Sequence, residues 1–192
     1  MEVVVGIDEV GRGCWAGPLL AAAVILNPKQ LDFNGNKWKL LDSKKMSKLQ
    51  RAVADVQIRK AALSYGIGWV TPSEIDQLGL TKATQLAMRR AIDKVDIPYD
   101  RIIIDGNYNY LSDIPMTETL IQADNTIPAV SAASIIAKVA RDTFMTEQAA
   151  LYPEYGFDNH VGYGTKRHIE ALLLYGVTPI HRKSYKPIKV FL

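Results

Sequence analysis

Val3-Val4-Val5-Gly6-Ile7-Asp8-Glu9-Val10 sets two adjacent carboxylates into an apolar run of β type. An acidic pair in a buried strand is costly unless something compensates its charge, and a divalent cation is the simplest compensation. Two further acids share that context: Asp105 ends the apolar run Arg101–Asp105, and Asp124 follows a weaker strand pattern at Glu118–Gln122. Carboxylates at strand ends of an α/β sheet converge on one edge. Acids without a Cys₂ or His₃ set select hard, oxygen-preferring ions, Mg²⁺ or Mn²⁺. Two such ions ~4 Å apart can clamp the attacking and leaving oxygens of a phosphodiester. Each acid also has a plainer reading. Asp105-Gly106-Asn107 suits a turn, and Asp124 suits a helix entry. Asp8-Glu9, inside Val/Ile-rich sequence, is the hardest to explain without a cation.

The charge pattern points to a polyanionic partner. Net charge is only +3, but Lys37, Lys39, Lys44, Lys45, Lys48 and Arg51 face one acid, Asp42. From residue 166 onward, Lys166, Arg167, Arg182, Lys183, Lys186 and Lys189 face Glu170. Two basic stretches on a near-neutral chain fit nucleic acid, and they also fit ordinary solvated surface. At 192 residues, 48% hydrophobic and 22% charged, the chain suits one globular domain with a small C-terminal appendage over about 151–192. No apolar run is long enough to span a membrane. No secretory signal is legible at the N-terminus. The single cysteine, Cys14, excludes an intrachain disulfide and a multi-Cys zinc site. A cytoplasmic location is the expectation.

The elements that must position the acids are legible in order. Residues 2–10 predict a strand, and Gly11 and Gly13 then mark a tight turn where glycine permits close ligand approach. Leu19–Leu26 predicts an antiparallel partner strand. Residues 27–45 read as a Lys-rich loop. Ser47–Gln50 has the form of a capping box, opening a helix to about Ala62 with Leu49, Val53, Val56 and Lys60 at helical spacing. Ser64–Val70 predicts a third strand. Thr71-Pro72-Ser73-Glu74 caps a short helix broken near Gly79, and a longer helix follows over Leu80–Lys94 with Ala83, Leu86, Ala87 and Ala91 inward. After the strands at 101–105 and 118–122, a long helix runs from about Pro128 to Ala150. Its buried stripe is Ala132, Ile135, Ile136, Val139 and Ala140; Ser134, Lys138, Arg141 and Asp142 form its polar face. Residues 151–164 read as loop, Thr165–Tyr175 as a last helix, and the remainder as irregular. Strands in a hairpin, then alternating with helices, predict an α/β fold with a mixed sheet covered by helices.

Gly6-Ile7-Asp8-Glu9-Val10-Gly11-Arg12-Gly13, followed by Ala16-Gly17-Pro18, closely resembles the first signature of the type 2 ribonucleases H, the ribonuclease HII family. So do Asp42-Ser43-Lys44-Lys45, Ile104-Asp105-Gly106, Ala123-Asp124, the run Val130–Asp142, Gly162-Tyr163-Gly164-Thr165 and His181-Arg182-Lys183-Ser184-Tyr185, in order over nearly the whole chain. The resemblance implies a ribonuclease H-like five-stranded mixed sheet flanked by helices, with a small helical C-terminal segment. It implies endonucleolytic cleavage of RNA paired to DNA and incision 5′ to ribonucleotides embedded in duplex DNA, leaving 3′-hydroxyl and 5′-phosphate ends. Asp8, Glu9, Asp105 and Asp124 then fall on the family's metal-binding acids, for two Mg²⁺ or Mn²⁺ ions. Gly11, Arg12 and Gly13 resemble the family's backbone grip on the 2′-OH, and Tyr163 its 2′-OH-contacting tyrosine, which packs on the next sugar. Lys44, Lys45, Ser134, Lys138 and Arg141 become candidate phosphate contacts, with Arg182 and Lys183 less firmly so.

The departures are few. Cys14 and Trp15 stand where the family more often has Pro and Leu, and Gln122 where lysine is common. Cys14 reads as a small apolar residue, Asp142 as a salt-bridge partner. The implied partners are RNA–DNA hybrid and ribonucleotide-containing duplex DNA, acted on by a monomer. Val190-Phe191-Leu192 is either a packed terminus or a docking tail for a replication clamp. The rival reading is a related-fold metal-dependent DNA repair endonuclease, which the acids alone do not exclude; the turn at 11–13 and Tyr163 argue against it because they answer the 2′-OH requirement.

Overall fold

A computed structural model of the chain describes residues 2–27 and 46–192. The Lys-rich segment 28–45, with Asp42, Ser43, Lys44 and Lys45, lies outside the described residues. The strands are β1 (Val4–Val10), β2 (Leu19–Leu26), β3 (Ala62–Val70), β4 (Arg101–Asp105) and β5 (Thr117–Leu120). The helices are α1 (Lys48–Ala61), α2 (Pro72–Ile92), α3 (Pro128–Leu151), α4 (Phe157–His160), α5 (Lys166–Tyr175) and α6 (Lys186–Lys189), with a 3₁₀ turn at Ala123–Asn125. The expected mixed five-stranded sheet is present, in the order β3-β2-β1-β4-β5. β1, β2 and β3 are antiparallel neighbours; β4 and β5 run parallel to β1.

The pleat of β2 explains the layers. Leu19, Ala21, Ala23 and Ile25 face α2, where they meet Ala83, Ala87, Met88 and Ala91. Ala22, Val24 and Leu26 face the other way, onto Ala54 and Ile58 of α1 and Ala132–Ala137 of α3. Side chains two apart on a strand share a face, so a fully apolar strand is what a sheet covered on both sides requires. Both capping boxes form, at Ser47/Gln50 and Thr71/Glu74. Gly79, at φ 74°, kinks α2 where the break was expected.

Leu49, Val53 and Val56 of α1 are exposed, at 77%, 51% and 51%, and the buried face is Ala54, Asp55 and Ile58. Two stripes of helical spacing coexist in α1. The stripe carrying Ala54 is buried because a small residue lets α1 lie close against α3 and β2.

The register aligns the acids. Gly6 pairs with Ile103 and Ile7 with Ile104, so Asp8 and Asp105 stand one residue further on, at the same end of neighbouring parallel strands. α3 is set directly beneath this point through Gly6. A Cβ there would lie 2.2 Å from the backbone of Ala129 and Val130, so only glycine lets the start of α3 touch β1. Gly6→Ala is therefore expected to destabilise the fold by ~1–3 kcal/mol, as overpacking against rigid backbone does. Urea unfolding of the two chains measures it.

Candidate functional site

A cavity of about 420 Å³ opens at the strand ends, lined by Asp8, Glu9, Gly11, Arg12, Gly13, Asp105, Ser134, Lys138 and Tyr163. The acids are gathered from β1 and β4, the turn from the segment after β1, Ser134 and Lys138 from α3, and Tyr163 from the loop after α4. Asp124 lies close by but does not line the cavity. It is 3% exposed on the 3₁₀ turn, and that turn is tied to Asp105, whose Oδ1 accepts from the Ala123 N–H at 2.7 Å. Lys44 and Lys45 lie outside the described residues.

Adjacent residues of a strand point to opposite faces, and this divides Asp8 from Glu9. Asp8 belongs to the α3 side, where Ser134 hydrogen-bonds its carboxyl. Glu9 reaches toward the α2 side and also lines a second cavity of about 300 Å³ with Arg12, Thr81, Asp105, Asn107, Tyr108 and Tyr110. The two cavities meet at Glu9, Arg12 and Asp105. Among the described residues, no three His, Cys, Asp or Glu side chains converge as a ready-made metal cage. The donor chemistry nevertheless suits a hard cation. Burial, and then the charges of Glu9 and Asp105, push the Asp8 carboxyl up to about 7, against hydrogen bonds from Ser134 and the Glu9 N–H that pull it down. Burial also raises Glu9, opposed by the Arg12 guanidinium, whose Nη1 stands 3.3 Å from Oε1.

Beside the acids, Gly11 holds φ 90° with its Cα against the Arg141 side chain, where a Cβ would meet Nε at 2.3 Å. Tyr163 is half exposed, its ring beside Gly13. Its hydroxyl is raised by burial first and then by the neighbouring Cys14 sulfur. Lys138 donates to Asp142 at 2.8 Å, and Arg51 stands 3.8 Å from the other Asp142 oxygen, so Asp142 is the ion-pair partner expected.

Two expected phosphate contacts are corrected. Arg141 and Arg182 are both fully buried. Arg141 donates to the carbonyls of Ala16, Pro18 and Val161 at 2.8–3.0 Å. Arg182 donates to the carbonyls of Arg12, Gly17 and Pro18 at 2.9–3.1 Å and to the Tyr185 hydroxyl. A guanidinium offers five donors in a fixed fork, so it can hold several carbonyls of an irregular loop at once. Lys183 is on the surface, its N–H bonded to Asp76. Cys14 is buried as expected, but its influence on Tyr163 was not legible. Also illegible was the meeting of His160, His168 and His181, spread over 22 residues of sequence, in one buried group. Burial, and for His181 the neighbouring His168, holds the latter two down at about 4.

Two predictions arise. The folded-state value of Asp8 lies above its unfolded value of 3.8, so its stabilising contribution is full below that pH and lost as pH rises through about 7. In cation-free buffer at pH 8, Asp8→Asn is expected to raise the Tm, and the difference from the parent chain should vanish toward pH 4. Arg182→Met is expected to lower stability by ~3 kcal/mol or more, because three buried carbonyls lose a charged donor. The salt dependence of nucleic-acid binding measured on the folded fraction should not change, whereas a lost phosphate contact would flatten its slope by about one ion.

A family model described as Ribonuclease HII matches residues 5–188. The chain is 47% identical over 184 residues to Ribonuclease HII of Shewanella pealeana, covering 96% of this chain and 88% of that protein. It is 44% identical over 188 residues to Ribonuclease HII of Coxiella burnetii, covering 97% and 90%. The crystal structure of the ribonuclease H2 from Pyrococcus horikoshii superposes with a TM-score of 0.82 at 26% identity, over 98% of this chain and 96% of that one. The match spans both the acidic strand ends and the loop carrying Tyr163, and the chain belongs to the ribonuclease HII family.

Proposed function

We propose that this enzyme hydrolyses the RNA strand of RNA–DNA hybrids and incises duplex DNA on the 5′ side of an embedded ribonucleotide, leaving 3′-hydroxyl and 5′-phosphate ends. Membership of the family makes the chain a nuclease of the ribonuclease H class. One observation carries the finer reading: Asp8, Glu9 and Asp105 share a single cavity with the Gly11–Gly13 turn and Tyr163. Carboxylates that repel one another stand beside groups suited to a ribose hydroxyl.

Asp8, Glu9, Asp105 and Asp124 would hold two Mg²⁺ or Mn²⁺ ions. Such ions, when bound, supply a water of lowered pKa and stabilise charge on the leaving 3′ oxygen. The protein's own residues do the rest. Gly13 carries no side chain, so a ribose can approach the backbone there, while the bare Cα of Gly11 lets the turn pack on Arg141. The Tyr163 hydroxyl offers a donor and acceptor to the 2′-OH, the group that separates RNA from DNA, while its ring offers a face to the neighbouring sugar. Arg12 opposes the burial that raises Glu9, at the junction of the two cavities. Lys138, with Lys44 and Lys45, would meet phosphates and fix the duplex without reading sequence. Ser134 is better placed to orient Asp8 than to meet a phosphate, given its bond to that carboxyl. The enzyme would act as a monomer on nucleic acid, with residues 1–192 forming one catalytic domain. Val190 and Leu192 are exposed, which suits a docking tail for a clamp, whereas Phe191 packs on the C-terminal core. No described helix is long and apolar enough to cross a membrane.

A DNA duplex carrying one ribonucleotide, incubated with Mg²⁺ or Mn²⁺, should receive one incision, on the 5′ side of the ribonucleotide. EDTA and Asp105→Asn should each abolish it. Tyr163→Phe should lose ~10-fold or more on that substrate with unchanged Tm, as removal of a hydroxyl contact made at the reacting sugar would. Equal cutting of the all-DNA duplex would return the reading to a DNA repair endonuclease.

A further inference from the structure

Every backbone polar group of Gly162 and Tyr163 is held. The Gly162 N–H donates to His160 Nδ1 at 3.2 Å, and its carbonyl accepts from the N–H groups of Trp15 and Ala16. The Tyr163 N–H donates to the His160 carbonyl, and the Tyr163 carbonyl lies 2.9 Å from His168 Nδ1 and accepts from the Thr165 N–H. His168 Nε2 in turn stands 2.9 Å from His181 Nε2, and His181 Nδ1 accepts from the Thr178 N–H at 2.8 Å. All three rings are buried, His168 completely.

The direction of each bond follows from chemistry at the two ends. A carbonyl only accepts, so His168 carries its proton on Nδ1. A backbone N–H only donates, so His181 Nδ1 carries a lone pair and its proton is on Nε2. The central contact is then His181 Nε2–H donating to the lone pair of His168 Nε2, and both ends demand this same polarity. By the same rule His160 bears its proton on Nε2, donating to the Tyr155 carbonyl at 2.7 Å, and leaves Nδ1 to accept from Gly162. Three neutral rings therefore satisfy every nitrogen, and a second proton on any one of them would set donor against donor.

We propose that His181 and His168 form a one-directional hydrogen-bond relay, Thr178 to His181 to His168 to the Tyr163 carbonyl, whose function is to position Tyr163 for selection of the ribose 2′-OH. His160 braces the same peptide from its other side. These are positioning residues, since none of them lines the cavity. The proposal extends the function assigned above to a specificity device in the C-terminal segment. The Tyr163 ring is half exposed and reaches the site from a loop, so the loop backbone decides where its hydroxyl stands. Trp15 adds to the clamp: it packs on Gly164, where a Cβ would lie 2.1 Å from its ring, and lies 5.8 Å from the His168 ring.

The chain has only three histidines, so long-range ¹⁵N–¹H spectra of the intact protein resolve each tautomer directly. The expected result is Nδ1–H for His168 and Nε2–H for His160 and His181. An Nε2–H tautomer for His168 would overturn the relay. For function, His168→Asn keeps a donor near the Nδ1 position and His168→Leu removes it. With both variants folded by near-UV circular dichroism, His168→Leu should lose roughly tenfold in kcat/KM on the single-ribonucleotide duplex, the scale of one lost positioning bond. Its loss on a long RNA–DNA hybrid should be smaller, and His168→Asn should stay within about threefold of the parent on both. Equal losses on the two substrates, tracking Tm, would reduce the cluster to packing. If the parent chain fails to incise at all, the proposed activity falls while the tautomer result still decides the relay.

Discussion

The carbonyl of Pro18 receives two buried guanidinium groups, Nε of Arg141 at 2.9 Å and Nη2 of Arg182 at 3.1 Å. Among the described residues neither arginine has a carboxylate as a hydrogen-bond partner; carbonyl dipoles, with the Tyr185 hydroxyl for Arg182, take its place. Such charges are hard to bury, and they persist because a fork of donors is the one side chain able to satisfy an irregular loop that has no strand beside it. Between them they hold Arg12, Ala16, Gly17, Pro18 and Val161, which is to say the turn after β1 and the loop before Tyr163. The C-terminal layer, with Tyr155, Phe157, Leu172 and Ile188 in its core, is thus a wall against which the turn after β1 is set.

The acids obey a different constraint. Parallel pairing of β1 with β4 brings Asp8 level with Asp105, and the pleat sends Glu9 to the other face. The arrangement is frustrated, because burial and the charges of Glu9 and Asp105 both oppose ionisation of Asp8. Such frustration is the usual physical mark of a functional site: groups that oppose folding are kept because something else must bind them. Rigid strands carry the frustrated half, while backbone held by buried arginines and histidines carries the turn at 11–13 and Tyr163.

Much of this was legible from residue types. The strands and long helices follow from runs of valine, isoleucine and alanine, and both capping boxes form from their four-residue signatures. The gathering of Asp8, Glu9 and Asp105 was foreseeable from their places at strand ends. What sequence could not supply was the environment of the long polar side chains. Arg141 occupies a helical position indistinguishable by period from Lys138, yet one lines the cavity and the other is fully enclosed, because a loop from the far end of the chain lies over it. The exposure of Leu49, Val53 and Val56 has a related cause: periodicity names the candidate faces of a helix, but the neighbour selects among them. The histidines gave no local signal, since their partnership depends on contacts 13 residues apart in sequence and on backbone groups of turns.

The bond from Arg182 to the Arg12 carbonyl joins residues 170 positions apart. The strand bearing Asp8 and Glu9 is synthesised long before Arg182, so the turn that follows it, also held by Arg141, lacks this one bond until Arg182 is available. Closing so long a loop is an entropic burden that only the finished fold offsets. The acidic end of the site therefore rests on contacts made within the sheet, whereas the turn at 11–13 rests in part on a contact that spans 170 residues.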